Sequence, residues 1–261
     1  MFSTSYDISD WQQSEQAGGY WLISLTIDPK ISPTTEKPFE FDVGTSFSLD
    51  SNPQSLRLFH QSGQAARLKL QLLSHTPIAN TSTPGRLHCH PPTTATIIPI
   101  KANLLIIASG LEMANLFYLA KQRVSTPARG HTLALLHSTN SFPFQVKPAR
   151  FLLPEMPAEA IGACPLLEDW KIGNRLASDL GLPGCFDGSL TDLLQQWIQY
   201  HQHQREVQQQ TPSEDVGMEP ENWQIIACLP NAMQKKCLEI CQSTDWLNFT
   251  GIAYDRSQNP S

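Results

Sequence analysis

The sequence predicts an antiparallel β-barrel followed by a doubly wound parallel αβ unit. Two observations carry this expectation. Through residue 100, short β-rich runs recur between prolines and glycines, the spacing of a barrel or sandwich. From Lys101 the rhythm becomes strand–helix–strand, starting with NLLIIAS (103–109), an uninterrupted apolar run suited to a strand buried on both faces. The expected units are residues 1–100 and 101–261.

In the first unit, YWLISLTID (20–28), TSFSLD (45–50), SLRLFHQS (55–62) and ARLKLQLLS (66–74) read as strands. The last alternates strictly at Leu68, Leu70 and Leu72. RLHCH (86–90) and TATIIPI (94–100) would close the barrel. In the second unit, LEMANLFYLAKQR (111–123) has helix formers and no breaker, and HTLALLH (131–137) is the next strand. Residues 143–165 are Pro-rich with little regular pattern, and NRLAS (174–178) is a short strand. Leu190, Leu193, Leu194, Trp197 and Ile198 then mark one face of an amphipathic helix. Ser189 and Asp192 have the spacing of a capping box, with Asp in place of Glu or Gln. Residues 201–222 are polar, read as an exposed loop or helix extension, with His201 and His203 solvated. A strand at 223–228, a helix at 231–242 and a strand at 249–254 complete a five-strand pattern.

Composition narrows the function. Hydrophobic residues make up 40% of the 261, enough for a substantial core, and charged residues only 16%, too few for a disordered chain. A net charge of −6 argues against nucleic acid as the main partner. No run of 18 apolar residues occurs, so no membrane span is expected. The polar start lacks a basic n-region and an apolar core, so no secretory signal is expected. The six cysteines form no C-x-x-C pair and read as reduced thiols of a cytoplasmic protein. Cys237 and Cys241 continue an apolar helical stripe and read as core. His88 and His90 share a strand face, but two ligands do not make a metal site. No Gly-x-Ser-x-Gly or His-Glu-x-x-His occurs, so hydrolase chemistry has no local support.

Five stretches fall where an open αβ sheet and its neighbour would hold a ligand. WQIIACLPNAMQKKC (223–237) is a strand, a Cys-x-Pro turn and a helix. ASGLEMANL (108–116) is a strand-to-helix turn at Gly110, with Glu112 in the first helical turn. RLFHQSG (57–63) lies on a barrel strand, and HCHPPTTAT (88–96) follows another. SDLGLPGCFDGSLTDLL (178–194) places three glycines before a helix.

Together these resemble the ferredoxin–NADP reductase superfamily. The last stretch is similar to that of dihydroorotate dehydrogenase electron-transfer subunits. Cys228, Pro230 and Met233 match a Cys-Gly-Pro-x-x-Met motif, with Leu229 in place of the glycine. The resemblance implies a flavin-dependent oxidoreductase that moves hydride from NAD(P)H to FAD and on to a redox partner protein or small acceptor. Arg57, Phe59 and His60 would bind the flavin, with Thr93 and Thr94 replacing a glycine-rich phosphate cradle. Gly110, Cys228, Pro230 and Met233 would border the nicotinamide, and Asp179, Gly181 and Gly184 the rest of the cleft. Cys228 and His60 are the candidate catalytic groups. An arginine pair for a 2′-phosphate is missing, so NAD is expected over NADP, and no cysteine after Ala253 serves a 2Fe–2S cluster. Several motif positions depart from the family. Leu229, Pro91, Pro92, Asn115 in place of a proline, and Glu112, expected to repel a pyrophosphate, are such departures. Glu112, Leu229 and the prolines at 91 and 92 imply an alternative, a non-catalytic binding or partner subunit that keeps the fold and has lost one or both cofactors.

Overall fold

The structure, a computed structural model, describes residues 4–29, 40–50, 52–64, 67–79, 85–93, 102–126, 130–210 and 222–252. Six strands make the barrel: β1 (Thr4–Glu15), β2 (Trp21–Ile27), β3 (Ser46–Leu49), β4 (Asn52–Gln64), β5 (Arg67–Ser74) and β6 (Arg86–His90). They are antiparallel in the closed order β1-β2-β5-β4-β3-β6. Leu68, Leu70 and Leu72 point inward, at most 1% exposed, against Ile23, Leu25, Leu56 and Phe47. The alternation in β5 thus reports the barrel interior directly.

β1 has no counterpart in the sequence reading. Its outer positions are polar, and a register shift between Ile8 and Asp10 interrupts its two-residue period. Only Tyr6, Ile8 and Trp11 pack against the core. Closure comes from β6 pairing back onto β1. The expected strand at 94–100 lies outside the described residues.

The second unit opens with β7 (Asn103–Ser109), a 3-10 turn over Gly110–Glu112, α1 (Met113–Val124) and β8 (Thr132–Ser138). The Pro-rich stretch forms a small ribbon of β9 (Lys147–Pro148) and β10 (Gly162–Ala163), then α2 (Pro165–Asp169). β11 (Gly173–Ser178), β12 (Phe186–Asp187), α3 (Leu190–Gln210), β13 (Trp223–Cys228), α4 (Asn231–Cys241) and β14 (Leu247–Gly251) follow. The sheet order is β12-β11-β8-β7-β13-β14, all parallel. The five expected strands are joined by β12, too short to read as a strand from sequence.

Alternate residues of the parallel strands enter different cores, as strands buried on both faces must. Leu104, Ile106 and Ala108 join α1 and the barrel in one cluster. Leu105 and Ile107 join α3 and α4 in another, where Leu190, Leu193, Leu194 and Trp197 are fully buried. Cys237 and Cys241 are also buried in that second cluster.

The capping box before α3 forms, with Ser189 Oγ accepting from Asp192 N–H and Asp192 Oδ2 from Ser189 N–H, each at 3.2 Å. The expected solvation of His201 is corrected. α3 continues through the polar segment to Gln210, and its Trp197 side carries His201 into a cluster with Trp223 and Trp246. Polar flanking residues hid this contact, because one helical face stays buried while the others are solvated. His203 is exposed.

Candidate functional site

In a sheet of this order the chain reverses direction between β7 and β13, so ligand crevices open beyond their carboxyl ends. Ala108 pairs with Cys228 there, which sets the Gly110 turn beside the Cys-Leu-Pro turn. Gly110 has φ 59°, the left-handed region a glycine adopts freely. The barrel approaches this point from the α1 face.

At that junction Arg57 of β4 meets Glu112. Arg57 Nε donates to both carboxylate oxygens, at 2.8 and 2.9 Å, and the residues are 5% and 7% exposed. Asn115 Nδ2 donates to Glu112 Oε2 at 2.8 Å, and Asn115 Oδ1 accepts from Gly44 N–H at 3.3 Å. Barrel strand, helix start and barrel loop are thereby tied through buried side chains. The expected repulsion by Glu112 is corrected: its carboxylate is not bare, because Arg57 neutralises it. Two departures from the family pattern, Glu112 and Asn115, belong to one hydrogen-bonded network.

The neighbouring positions are filled as well. The ring of Phe59, beside an irregularity in β4, packs at 5.2 Å from Phe117 of α1. Cys228 is fully buried, and burial followed by the nearby Glu112 charge pushes its thiol well above the ordinary range. Leu229, fully buried in the opposite core cluster, offers its carbonyl to Gln234 Nε2 at 2.8 Å. Ile252, just past β14, is buried where any side chain at Gly44 would run into it.

His60 lies apart from Arg57 and Phe59. It lines a cleft of about 470 Å³ with Lys121, Tyr118 and Gln61. Burial lowers its pKa, and Lys121 adds to the effect. Thr93 is exposed, and Thr94 lies outside the described residues.

A second pocket, of about 320 Å³, opens at the carboxyl edge of the sheet between the starts of α3 and α4. It gathers Asp179, Pro230 and Met233 with His137, Ser189, Thr191 and Lys236. Gly181 and Gly184, at φ 61° and 79°, shape the adjoining loop. Sequence reasoning missed His137 and Ser109. Ser109 Oγ lies 2.9 Å from His137 Nδ1, and His137 Nε2 lies 3.1 Å from Asp179 Oδ1. These residues come from three separate strand ends, so no local motif announces them. Among the described residues, no group of three or more His, Cys, Asp or Glu could hold a metal ion.

No protein-family model matches this chain, and no curated protein sequence matches it. Its architecture matches solved reductases across nearly its whole length. A structure described as an NADH-dependent reduced ferredoxin-NADP oxidoreductase superposes with a TM-score of 0.53 at 12% identity, covering 96% of this chain and 75% of that one. A point variant of the Plasmodium falciparum ferredoxin-NADP+ reductase gives 0.52 at 11% identity, covering 95% and 96%. The Neisseria gonorrhoeae ferredoxin NADP+ reductase, with bound FAD and NADP, gives 0.51 at 10%, covering 95% and 98%. At such identities the likeness establishes the fold: a ferredoxin–NADP reductase-like barrel and αβ sheet.

At the junction the residues expected to bind FAD are engaged by side chains of the same chain. Arg57, expected to bind the flavin, is held by an internal carboxylate, and Phe59, expected to bind it too, is half-buried with its ring tilted against Phe117. An incoming phosphate would have to displace Glu112 from a buried ion pair, leaving a carboxylate without its partner where desolvation is costly.

Proposed function

We propose that this chain is a partner subunit built on the reductase fold, with a flavin seat closed by its own side chains. It would act through binding and not as a flavin electron carrier. The Arg57–Glu112 ion pair is the observation that carries this reading. The pair occupies the only arginine of the flavin-binding stretch, and Asn115 and Gly44 complete the same network. Packing of Phe59 against Phe117 and of Ile252 against the barrel also supports it.

The specific observation favouring a second reading is the pocket lined by Asp179, Pro230 and Met233. Its place at the carboxyl edge is where a pyridine nucleotide would enter an NAD(P)H-dependent flavoprotein. That reading needs both FAD and NAD(H), with electrons passing to a partner protein or small acceptor.

Absorbance of the purified chain and titration with FAD, followed by flavin fluorescence, separate the two. The partner-subunit reading expects a colourless protein and no uptake of FAD at micromolar concentrations. A stoichiometric yellow chromophore that is reduced by NADH would overturn it and establish the reductase.

A further inference from the structure

We propose that Ser109, His137 and Asp179 form an acyl-transfer site, with Ser109 as nucleophile toward a short ester or thioester. The sheet register creates it. Ser109 ends β7 and pairs with His137 near the end of β8, while Asp179 follows β11. Neighbours on paired parallel strands share a face, and Leu105, Ile107, Leu133, Leu135 and Ala177 identify it as the α3–α4 face. The site therefore lies across the sheet from the barrel and does not depend on whether flavin binds.

Hydrogen bonding assigns the roles. A carboxylate only accepts, so His137 Nε2 carries the proton directed at Asp179. Nδ1 is then the acceptor facing the Ser109 hydroxyl. The two ring nitrogens exchange the duties they have in serine proteases, but the logic of nucleophile, base and orienting carboxylate is unchanged. Ser109 and His137 are 6% and 1% exposed, so the relay is shielded from bulk water, while Asp179 and His137 both border the 320 Å³ pocket. Space also exists beside the nucleophile, since a Cβ at Gly110 would meet nothing within 4 Å. Helix-opening amides are in general oxyanion donors, and Ser109 directly precedes the turn Gly110–Glu112 that opens α1, in which the Met113 N–H is already taken by the Gly110 and Leu111 carbonyls. Glu112, turned to Arg57, does not oppose that charge. Pro230 and Met233 present apolar wall to an acyl group, and Lys236 suits an anionic substituent.

In the reaction, Ser109 Oγ bonds to the carbonyl carbon as its proton passes to His137 Nδ1. The bond from acyl carbon to the leaving oxygen or sulfur breaks, and the leaving group takes that proton. Water then repeats the sequence, releasing the acid and restoring Ser109. Asp179 is a positioning residue.

A fluorophosphonate probe applied to the intact chain tests this, with the modified residue mapped by mass spectrometry. p-Nitrophenyl acetate provides a second readout. Labelling at Ser109 is expected, absent in Ser109→Ala and slowed at least about tenfold in His137→Gln. Asp179→Asn, at a half-exposed position that leaves the core intact, is expected to slow labelling and move the midpoint of its pH profile. No labelling of the wild-type chain would overturn the proposal. So would labelling retained in Ser109→Ala, or an Asp179→Asn profile superimposable on the wild type.

Discussion

Glu112 illustrates how a single side chain can reverse the meaning of a motif. Beside a helix start it reads as an obstacle to phosphate. Its partner is 55 residues away on a barrel strand, a separation that no local pattern can bridge. Breaking a buried pair leaves one charge uncompensated, so Glu112→Ala is expected to lower stability by about 3–5 kcal/mol in urea unfolding. Glu112→Gln keeps an acceptor for Arg57 and should lose less. The double variant Arg57→Met with Glu112→Leu removes both charges and should recover most of the loss, with a strong coupling energy in the thermodynamic cycle. Losses that simply add in the double variant relative to Arg57→Met and Glu112→Leu alone would show that the pair is not a unit. Arg57 and Phe59 were legible as candidates because they match in type a flavin-binding motif of the family the sequence resembles. Their engagement by Glu112 and Phe117 was not, since it depends on α1 lying against β4.

Secondary-structure elements were legible wherever one face is uniformly apolar. β5, β7 and the first turns of α3 declared themselves by period. β1 did not, because most of it faces solvent and its register slips, and the outer turns of α3 did not, because their buried stripe narrows to His201. That stripe has a pH consequence. Burial, then the charges of Arg205 and His131, lowers the His201 pKa from 6.5 to about 4. Among the described residues, its Nε2 and the indole N–H of Trp197 are buried without hydrogen-bond partners. The unfolded chain therefore binds a proton that the folded helix refuses across that interval. Stability should fall as pH drops from about 6.5 to about 4 and level off below. His201→Phe should flatten this slope in denaturant titrations at several pH values. An unchanged slope would mean that another group controls the window.

Across the whole molecule, barrel and sheet share one apolar core through α1, which contributes Leu116, Phe117 and Leu119 to the cluster that also holds Leu25, Phe47 and Leu70. The two units are accordingly expected to melt in a single cooperative transition, with far-UV dichroism and tryptophan fluorescence coinciding. Separate midpoints would contradict that sharing. The layout of barrel and sheet was readable from strand spacing and the change of rhythm at residue 101. The way the units are fastened was not, because it rests on contacts between distant stretches.

That fastening also bears on supply. A protein whose halves are held by a bound nucleotide depends on the concentration of that nucleotide, because free ligand drives the folding equilibrium by mass action. Here Arg57 is matched by a carboxylate encoded in the same chain. On the partner-subunit reading, maturation of this protein should then be indifferent to riboflavin status, with the same melting temperature and the same cellular abundance whether a cell is starved of the vitamin or replete.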